Sequence, residues 1–539
     1  MPFPASNTPW PPEPHGVVLD ACSERQVWWE GDPRALAEFY SGKRGAGRRP
    51  QSVRARVFRF LTGGYWSKGH DLTPDSERLH VPIAADIGRV AASTLFSEPP
   101  AFRDPNGDET VQKRIDELLN TPEMHSRLLT SAESASMLSG VFGRIVWDEK
   151  LAAKPWIDFV DADRAVPTFK WGQLVDVMLF TELAGSDDRE VWRHFELYHP
   201  GRVENRLYVG TPSNVGEERS LDAHPATKGL APSVHTGTDK LTAAYFPNHR
   251  PNPGWRNIPE LAPLGRSDLT SPVLHLLDKM DECWSSWMRD LEIGKGRIVV
   301  SESLLTYGKP GDGARFDTDT KVFSPVKNAI KDGEEATLIE AHQFEIRVEE
   351  HRQTFEALLR RAISYCGFSP ITFGLQDEAA VTATEVDAKE RDTNATRASR
   401  LRLWTSPLAQ LATVLLEVDA AKFPGEGGKA PEELLEVDVP PAHQQSAQQI
   451  AETVDMYNRA NAASIETKVR MIHPEWDDEQ VGDEVALIQE ETRGSVPAFP
   501  DEGNQGDPFA TDQGGDPAEE PVDDPNADPS APADGTNGE

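Results

Sequence analysis

Between Ser271 and Leu291 the large apolar residues Val273, Leu276, Met280, Trp284, Trp287 and Leu291 recur at spacings of three or four residues. Such spacing collects them on one face of a long helix. Ser271 offers a cap, and Pro272 suits a first helical position, whose N–H has no partner in any case. A second stripe, Val348, Phe355, Leu358, Leu359, Ala362 and Ile363, marks another long helix from about Phe344 to Cys366. Gly367 and Pro370 stop it. From Gly294 to Glu340 the period drops to that of strands in GRIVVS, TKVFSP and ATLIE, separated by the flexible YGKPGDGARFDTD. Two one-faced helices thus flank a strand-rich insert. Met and Trp stripes of this kind serve packing rather than cofactors, within a subunit, between subunits, or both.

Upstream, VPIAADIGRVAASTLF predicts a helix over 81–96, with further amphipathic helices at 111–119 and 123–138. The period then changes in GRIVWD, WIDFVDA, LVDVMLFTEL and EVWRHFELYHPGRVENRLYVG, where HPGR reads as a hairpin turn. Residues 80–250 are therefore an α+β body with an antiparallel sheet. FPNHRPNPGWRNIPELAPLGRSDL is too punctuated for a regular element and reads as a long connection. Downstream of Cys366, ITFGLQDEAAVTAT is a break before a charged, largely wet helix from Glu385 to about Trp404. LAQLATVLLEV restores an apolar face after Pro407. Two final helices, 442–462 and 464–491, precede a segment almost without large apolar residues. That segment cannot recover the roughly 1–2 kcal/mol per residue that ordering a backbone costs, and is expected to be disordered. No 20–50-residue repeat is present.

Charge narrows the function. The 539 residues carry a net charge of −34, of which twelve Asp and Glu, with no Lys or Arg, lie in Asp501–Glu539. The remaining −22 disfavours tight non-specific DNA binding, which needs clustered positive charge, but not a surface past which DNA slides. The run Lys43, Arg44, Arg48, Arg49, Arg54, Arg56 and Arg59 is open between a nucleic-acid or acidic-partner contact and a solvated loop. Cys22, Cys283 and Cys366 are too few and too scattered for a disulfide framework or a cysteine zinc site, and suit a reducing compartment. The N-terminus has neither the basic nor the apolar region of a secretory signal, and no apolar run approaches the roughly 20 residues that span a bilayer.

Enzyme chemistry finds few handles. Asp158, Asp161 and Asp163 in DFVDAD, and Asp317 and Asp319 in FDTDTK, are the pairings with which a nuclease would hold Mg²⁺. Short Asp runs in an acidic chain more ordinarily satisfy turns. His473 with Glu475, Asp477 and Asp478 lacks a second nearby His. SLLTYGKPGDG contains Gly-Lys but no G-x-x-x-x-G-K-[ST], so no P-loop is present, and neither is a G-x-S-x-G elbow nor an H-E-x-x-H helix. No ATP hydrolysis, cofactor or metal is expected.

The order helix, strand-rich insert, helix, Gly-containing break, charged helix resembles the stem, clip, stem and tunnel-loop layout of phage portal proteins. Four strings are similar to actinobacteriophage siphovirus members of that family: RLHVPIAADIGRVAASTLFSEPP, DLTSPVLHLLDKMDECWSSWMRDLEIGKGRIVV, YCGFSPITFGLQDEAAVTATEV and AASIETKVRMIHPEWDDEQV. The resemblance implies an α+β, mainly helical, ring-forming portal fold. It places an extended N-terminal arm at 1–50, a wing at 51–265, stem helices at 266–293 and 341–370, and a clip at 294–340. A tunnel loop follows at 371–384, wing helices at 385–424, a helical crown at 425–493 and a disordered acidic tail at 494–539. It implies a DNA-facing loop of Phe373, Gly374, Leu375, Gln376, Asp377 and Glu378, and subunit packing through Met280, Trp284, Trp287, Leu291, Phe355 and Leu359. Its implied partners are further copies in a ring, usually of twelve, the terminase large subunit, major capsid and scaffold proteins and a head–tail connector. Double-stranded DNA would pass loosely and without sequence specificity, and no membrane is involved. The expected place is a capsid vertex of the virion, after assembly in the host cytoplasm. A metal-dependent DNA-processing enzyme, or a capsid adaptor without a channel, are the alternatives.

Overall fold

The computed structural model describes residues 2–41, 65–66, 78–187, 189–294, 297–300, 306–307, 314–315, 339–342, 347–375, 390–426, 428–440, 447–473, 476 and 478–494. Two compact units divide the chain at His443.

The expected extended arm over 1–50 holds only as far as His15. Beyond it Gly16–Glu30 forms α1 and Pro33–Ser41 forms α2. Val18, Leu19, Cys22, Val27 and Trp28 are buried, so α1 belongs to the core. The stretch before it is also anchored: Trp10 sits edge-on to Phe180 and Phe195, at 4.8 and 5.1 Å. The Pro-rich sequence hid both, because burial of two tryptophans outweighs local extended propensity.

Next come α3 (Ile83–Leu95), β1 (Ala101–Arg103), α4 (Glu109–Leu118) and α5 (Pro122–Leu138). The caps are chemical. Asp108 accepts from the Thr110 and Val111 N–H groups, and Thr121 from the Met124 N–H, with Pro122 opening the helix. β2 (Gly140–Val146) and β3 (Trp156–Asp161) follow. A larger antiparallel sheet runs through β4 (Ala165–Lys170), β5 (Gln173–Glu182), β6 (Val191–His199), β7 (Arg202–Thr211) and β8 (Asn214–Arg219), in that order, with β9 (Ser233–His235) also against β7. HPGR is the expected hairpin turn: His199 pairs with Arg202 across Pro200 and a left-handed Gly201 (φ 83°). β10 (Ala243–Pro247) joins β2 and β3 in a second antiparallel sheet.

α6 (Ser271–Ile293) begins with Thr270 rather than Ser271 in the cap position. Past it, β11 (Arg297–Val300), within GRIVVS, pairs antiparallel with β14 (Ile339–His342), which begins in ATLIE, and β12 (Thr306–Tyr307) pairs with β13 (Ala314–Arg315), at the start of and within the stretch expected to be flexible. TKVFSP lies outside the described residues. α7 (Val348–Tyr365) is the expected return helix.

α8 (Arg391–Lys422) is one 32-residue helix that passes through Pro407, where the sequence predicted two. Proline removes one backbone hydrogen bond, the one to Leu403. Trp404, Leu408, Leu411, Ala412, Leu415 and Leu416 are buried on both sides of it, and their packing holds the helix together. The charged half is not wet throughout either: Thr393, Arg400 and Trp404 are buried. β15 (Glu436–Asp438) pairs with β1 within the first unit.

The second unit contains α9 (Ala447–Arg459), α10 (Ile465–Ile472) and α11 (Asp478–Gly494). The single helix expected over 464–491 breaks at His473, whose ring stacks on Trp476 at 3.8 Å. Among the described residues no helix is long and apolar enough to cross a membrane.

Candidate functional site

α6 and α7 lie antiparallel, as three cross-contacts require. Where α6 begins and α7 ends the Cys366 thiol donates to the Asp268 carbonyl (3.7 Å), midway the Cys283 thiol donates to the His351 carbonyl (3.6 Å), and at the opposite end Arg347 Nη2 donates to Asp290 Oδ2 (2.8 Å). Met280 and Leu359 are buried within this pair. Trp284 stands 5.3 Å from Phe355 and 5.6 Å from Trp287, and Trp287 stacks on His351 at 6.0 Å. Five of the six expected subunit-packing residues are thus engaged within one subunit, Met280 and Leu359 by burial and Trp284, Trp287 and Phe355 by ring contacts. Leu291, Val348 and Tyr365 remain exposed.

The root of this pair is gripped from two sides. On one, Asp278 accepts from the Tyr65 and Trp66 N–H groups (2.8 and 3.2 Å), and Asp281 from Trp66 Nε1 and the Val81 N–H (both 2.9 Å). His80 Nδ1 lies 2.8 Å from Asp281 Oδ2, and Ser285 Oγ accepts from the Tyr65 hydroxyl (2.7 Å). Burial pushes the Asp278 carboxyl up, against the pull of its two N–H donors.

On the other side Asp268, three residues before α6, is fully buried. Arg400 Nη2 of α8 donates to both its oxygens (2.9 and 2.8 Å), and Ser136 Oγ of α5 donates to Oδ2 (2.6 Å). His249 Nε2 lies between the two charges, 3.1 Å from Asp268 Oδ1 and 3.0 Å from Arg400 Nη2. Burial alone would raise the Asp268 carboxyl, but the Arg400 charge and the His249 and Ser136 bonds overcome it and hold it well below the usual range. The Arg400 guanidinium also lies 5.0 Å over the Phe368 ring. One buried carboxylate therefore joins α5, the start of α6 and α8. Sequence reasoning missed it, because Arg400 stands in a helix crowded with charges and nothing local marks it as the buried one.

The expected tunnel loop begins as a tethered turn. Gly367 is left-handed (φ 83°), and a Cβ there would come within 2.5 Å of Thr396 Oγ1, which donates to the Gly367 carbonyl. Ser369 N–H donates to Thr393 Oγ1 (2.8 Å), and the Thr372 hydroxyl lies 2.8 Å from the same oxygen. Phe373 and Leu375 are half-buried against the core, and Gly374 is exposed. Gln376, Asp377 and Glu378 lie outside the described residues, as do the basic run 43–59 and the tail from 495.

The family model for phage portal proteins of the SPP1 Gp6-like type matches residues 67–498. The chain belongs to the SPP1 Gp6-like phage portal family. Among solved structures, the neck of an empty GTA particle computed with C6 symmetry is 14% identical over 78% of this portal chain and 99% of its own, with a TM-score of 0.39. The neck of a native GTA particle computed with C12 symmetry is 13% identical over 81% and 98%, with a TM-score of 0.36. No curated protein matches.

Portal proteins are structural rather than enzymatic, and one carboxylate from each of two acidic clusters is held in an ion pair within this portal chain. Asp158 accepts from Arg144 Nε (2.9 Å), and Arg144 also bonds Glu196. Asp478 pairs with Arg470 (2.7 Å). Among the described residues no three His, Cys, Asp or Glu are grouped to hold a metal; Asp317, Asp319, Glu475 and Asp477 lie outside them.

Proposed function

We propose that copies of this portal chain close into a ring, twelve being usual in the family, whose central hole passes double-stranded DNA during packaging and ejection at one capsid vertex. Family membership across residues 67–498 carries this reading. The geometry supports it: α6 and α7 make a preassembled two-helix stem, and its exposed Leu291, Val348 and Tyr365 leave apolar surface for the next copy. A contact between unlike faces, repeated, closes a ring when the rotation permits. In this assignment 266–293 and 341–370 are stem, 294–340 clip, 371–384 tunnel loop, 51–265 and 385–424 wing, and 425–493 crown.

The clip would dock the terminase large subunit during packaging and a head–tail connector afterwards, while the wing meets major capsid and scaffold proteins. A net charge of −34 suits a lumen from which phosphates are repelled. The four strings noted in the sequence support a finer placement, among actinobacteriophage siphovirus portals assembled in the host cytoplasm. Electron microscopy of the purified protein tests the ring directly. Annular particles with a central hole are expected; compact particles without one favour an adaptor that forms no channel.

A further inference from the structure

A cavity of about 610 Å³ opens on the first unit where the β4–β5 turn, the segment leading into β10 and the middle of α8 meet. Leu241, Leu403, Leu411 and Val414 give it an apolar lining, while Lys240, Arg250 and Arg402 stand in its wall. Among the described residues no Asp or Glu lines it. In a chain with 89 acidic and 55 basic residues, a lining that keeps two arginines beyond one paired lysine reverses the prevailing charge. Lys240 pairs with Glu417. Arg250 lies 5.7 Å over the Tyr245 ring, and neither Arg250 nor Arg402 has an ion pair among the described residues. Pro407, also in the wall, cannot donate to the Leu403 carbonyl as an ordinary helix residue does, which leaves that acceptor for a donor from outside the helix.

A second observation concerns the same place. The β4–β5 turn is Trp171–Gly172, both left-handed (φ 55° and 80°). Asn, Asp or Gly ordinarily fill such positions, and a bulky aromatic there is strained. Trp171 is nevertheless 92% exposed, so no packing within the chain rewards it. Strain retained at an exposed site points to a function, and Trp and Arg are the residues that most often anchor protein interfaces.

We propose that this cavity receives an acidic peptide segment of another protein. Its carboxylates meet Arg250 and Arg402, one large apolar side chain enters between Leu241, Leu403 and Val414, and Trp171 covers the flank. Nucleic acid fits less well, because phosphates bring nothing to cover the apolar lining.

The test uses the full-length protein and a fluorescein-labelled, end-blocked peptide Asp-Glu-Leu-Phe-Glu-Asp, followed by anisotropy at low salt. Saturable binding that weakens as salt rises is expected, with the Lys-Lys-Leu-Phe-Lys-Lys analogue not binding. Arg250→Glu with Arg402→Glu should weaken binding at least about tenfold, and Trp171→Ala about fivefold. Should Arg250→Glu disturb folding through its stacking on Tyr245, the exposed Arg402→Glu alone serves. Absence of saturable binding, equal binding of the lysine analogue, or unchanged affinity in the arginine variants overturns the proposal. Displacement of the peptide by a short DNA duplex more readily than by unlabelled peptide overturns it in favour of a nucleic-acid site.

Discussion

Replacing Arg400 with Leu should destabilise the first unit by about 3–5 kcal/mol at neutral pH, the range for stranding one member of a buried ion pair. The structure supports the upper part of that range. The substitution removes both guanidinium bonds to a carboxylate that is fully buried, leaving Asp268 only Ser136 and His249. Leucine keeps the apolar contact with Phe368, so little of the loss is packing. Urea unfolding followed by tryptophan fluorescence reads the difference. The pH dependence separates an electrostatic from a volume effect. The Asp268 carboxyl is depressed in the folded protein, so its contribution is complete above the unfolded carboxylate value of about 3.9 and is lost as pH falls through and below it. In the variant, burial without Arg400 raises the same group, and the penalty grows as pH rises. The gap between wild type and variant should therefore be widest near pH 7 and shrink toward pH 4. Arg400→Leu with Asp268→Asn should recover at least about half of the loss, because no charge is then stranded. A cost below about 1 kcal/mol, or one independent of pH, would refute this account of the junction.

Trp284→Asp should yield soluble subunits that assemble poorly, measured by size exclusion with light scattering. The charge enters the contact with Phe355, so the stem pair should loosen first and melting should fall with assembly. Removal of residues 495–539, which includes the twelve Asp and Glu of Asp501–Glu539, should leave the melting temperature and ring size unchanged; a large fall would show that this segment packs. Asp377→Lys with Glu378→Lys should leave rings of normal size but slow packaging in a reconstituted motor assay, most at low salt. A wild-type rate there would remove these side chains from the channel.

The helices with clean stripes were legible in the sequence, because the period that built them is the period that buries them. Val273 to Leu291 and Val348 to Ile363 both became long helices, α6 and α7. What escaped was fixed by partners distant along the chain. Trp10 and Trp28 draw a Pro-rich start into the core, and Pro407 fails to end a helix because buried side chains flank it on both sides. Phe373 and Leu375 were legible as an interruption, but the threonines of α8 that tether it were not. Residues bonded across more than a hundred positions leave no local trace, which is why Arg400 read as one more surface charge.

Those separations set a timetable. Ser136 and Asp268 lie 132 residues apart, Asp268 and Arg400 another 132, and Arg114, whose Nη2 holds Asp419 Oδ1 at 2.7 Å, must wait 305. On a ribosome adding ~5–20 residues per second, Asp268 is made roughly 7–26 s before its counter-ion exists. During that interval the first unit can form its hairpins, whose contacts are local, but cannot bury Asp268 as an anion without a large penalty. The stem root thus closes only once α8 has been synthesised. A subunit broken off before Arg400 has no means of completing that junction and is kept from offering a finished stem to its neighbours.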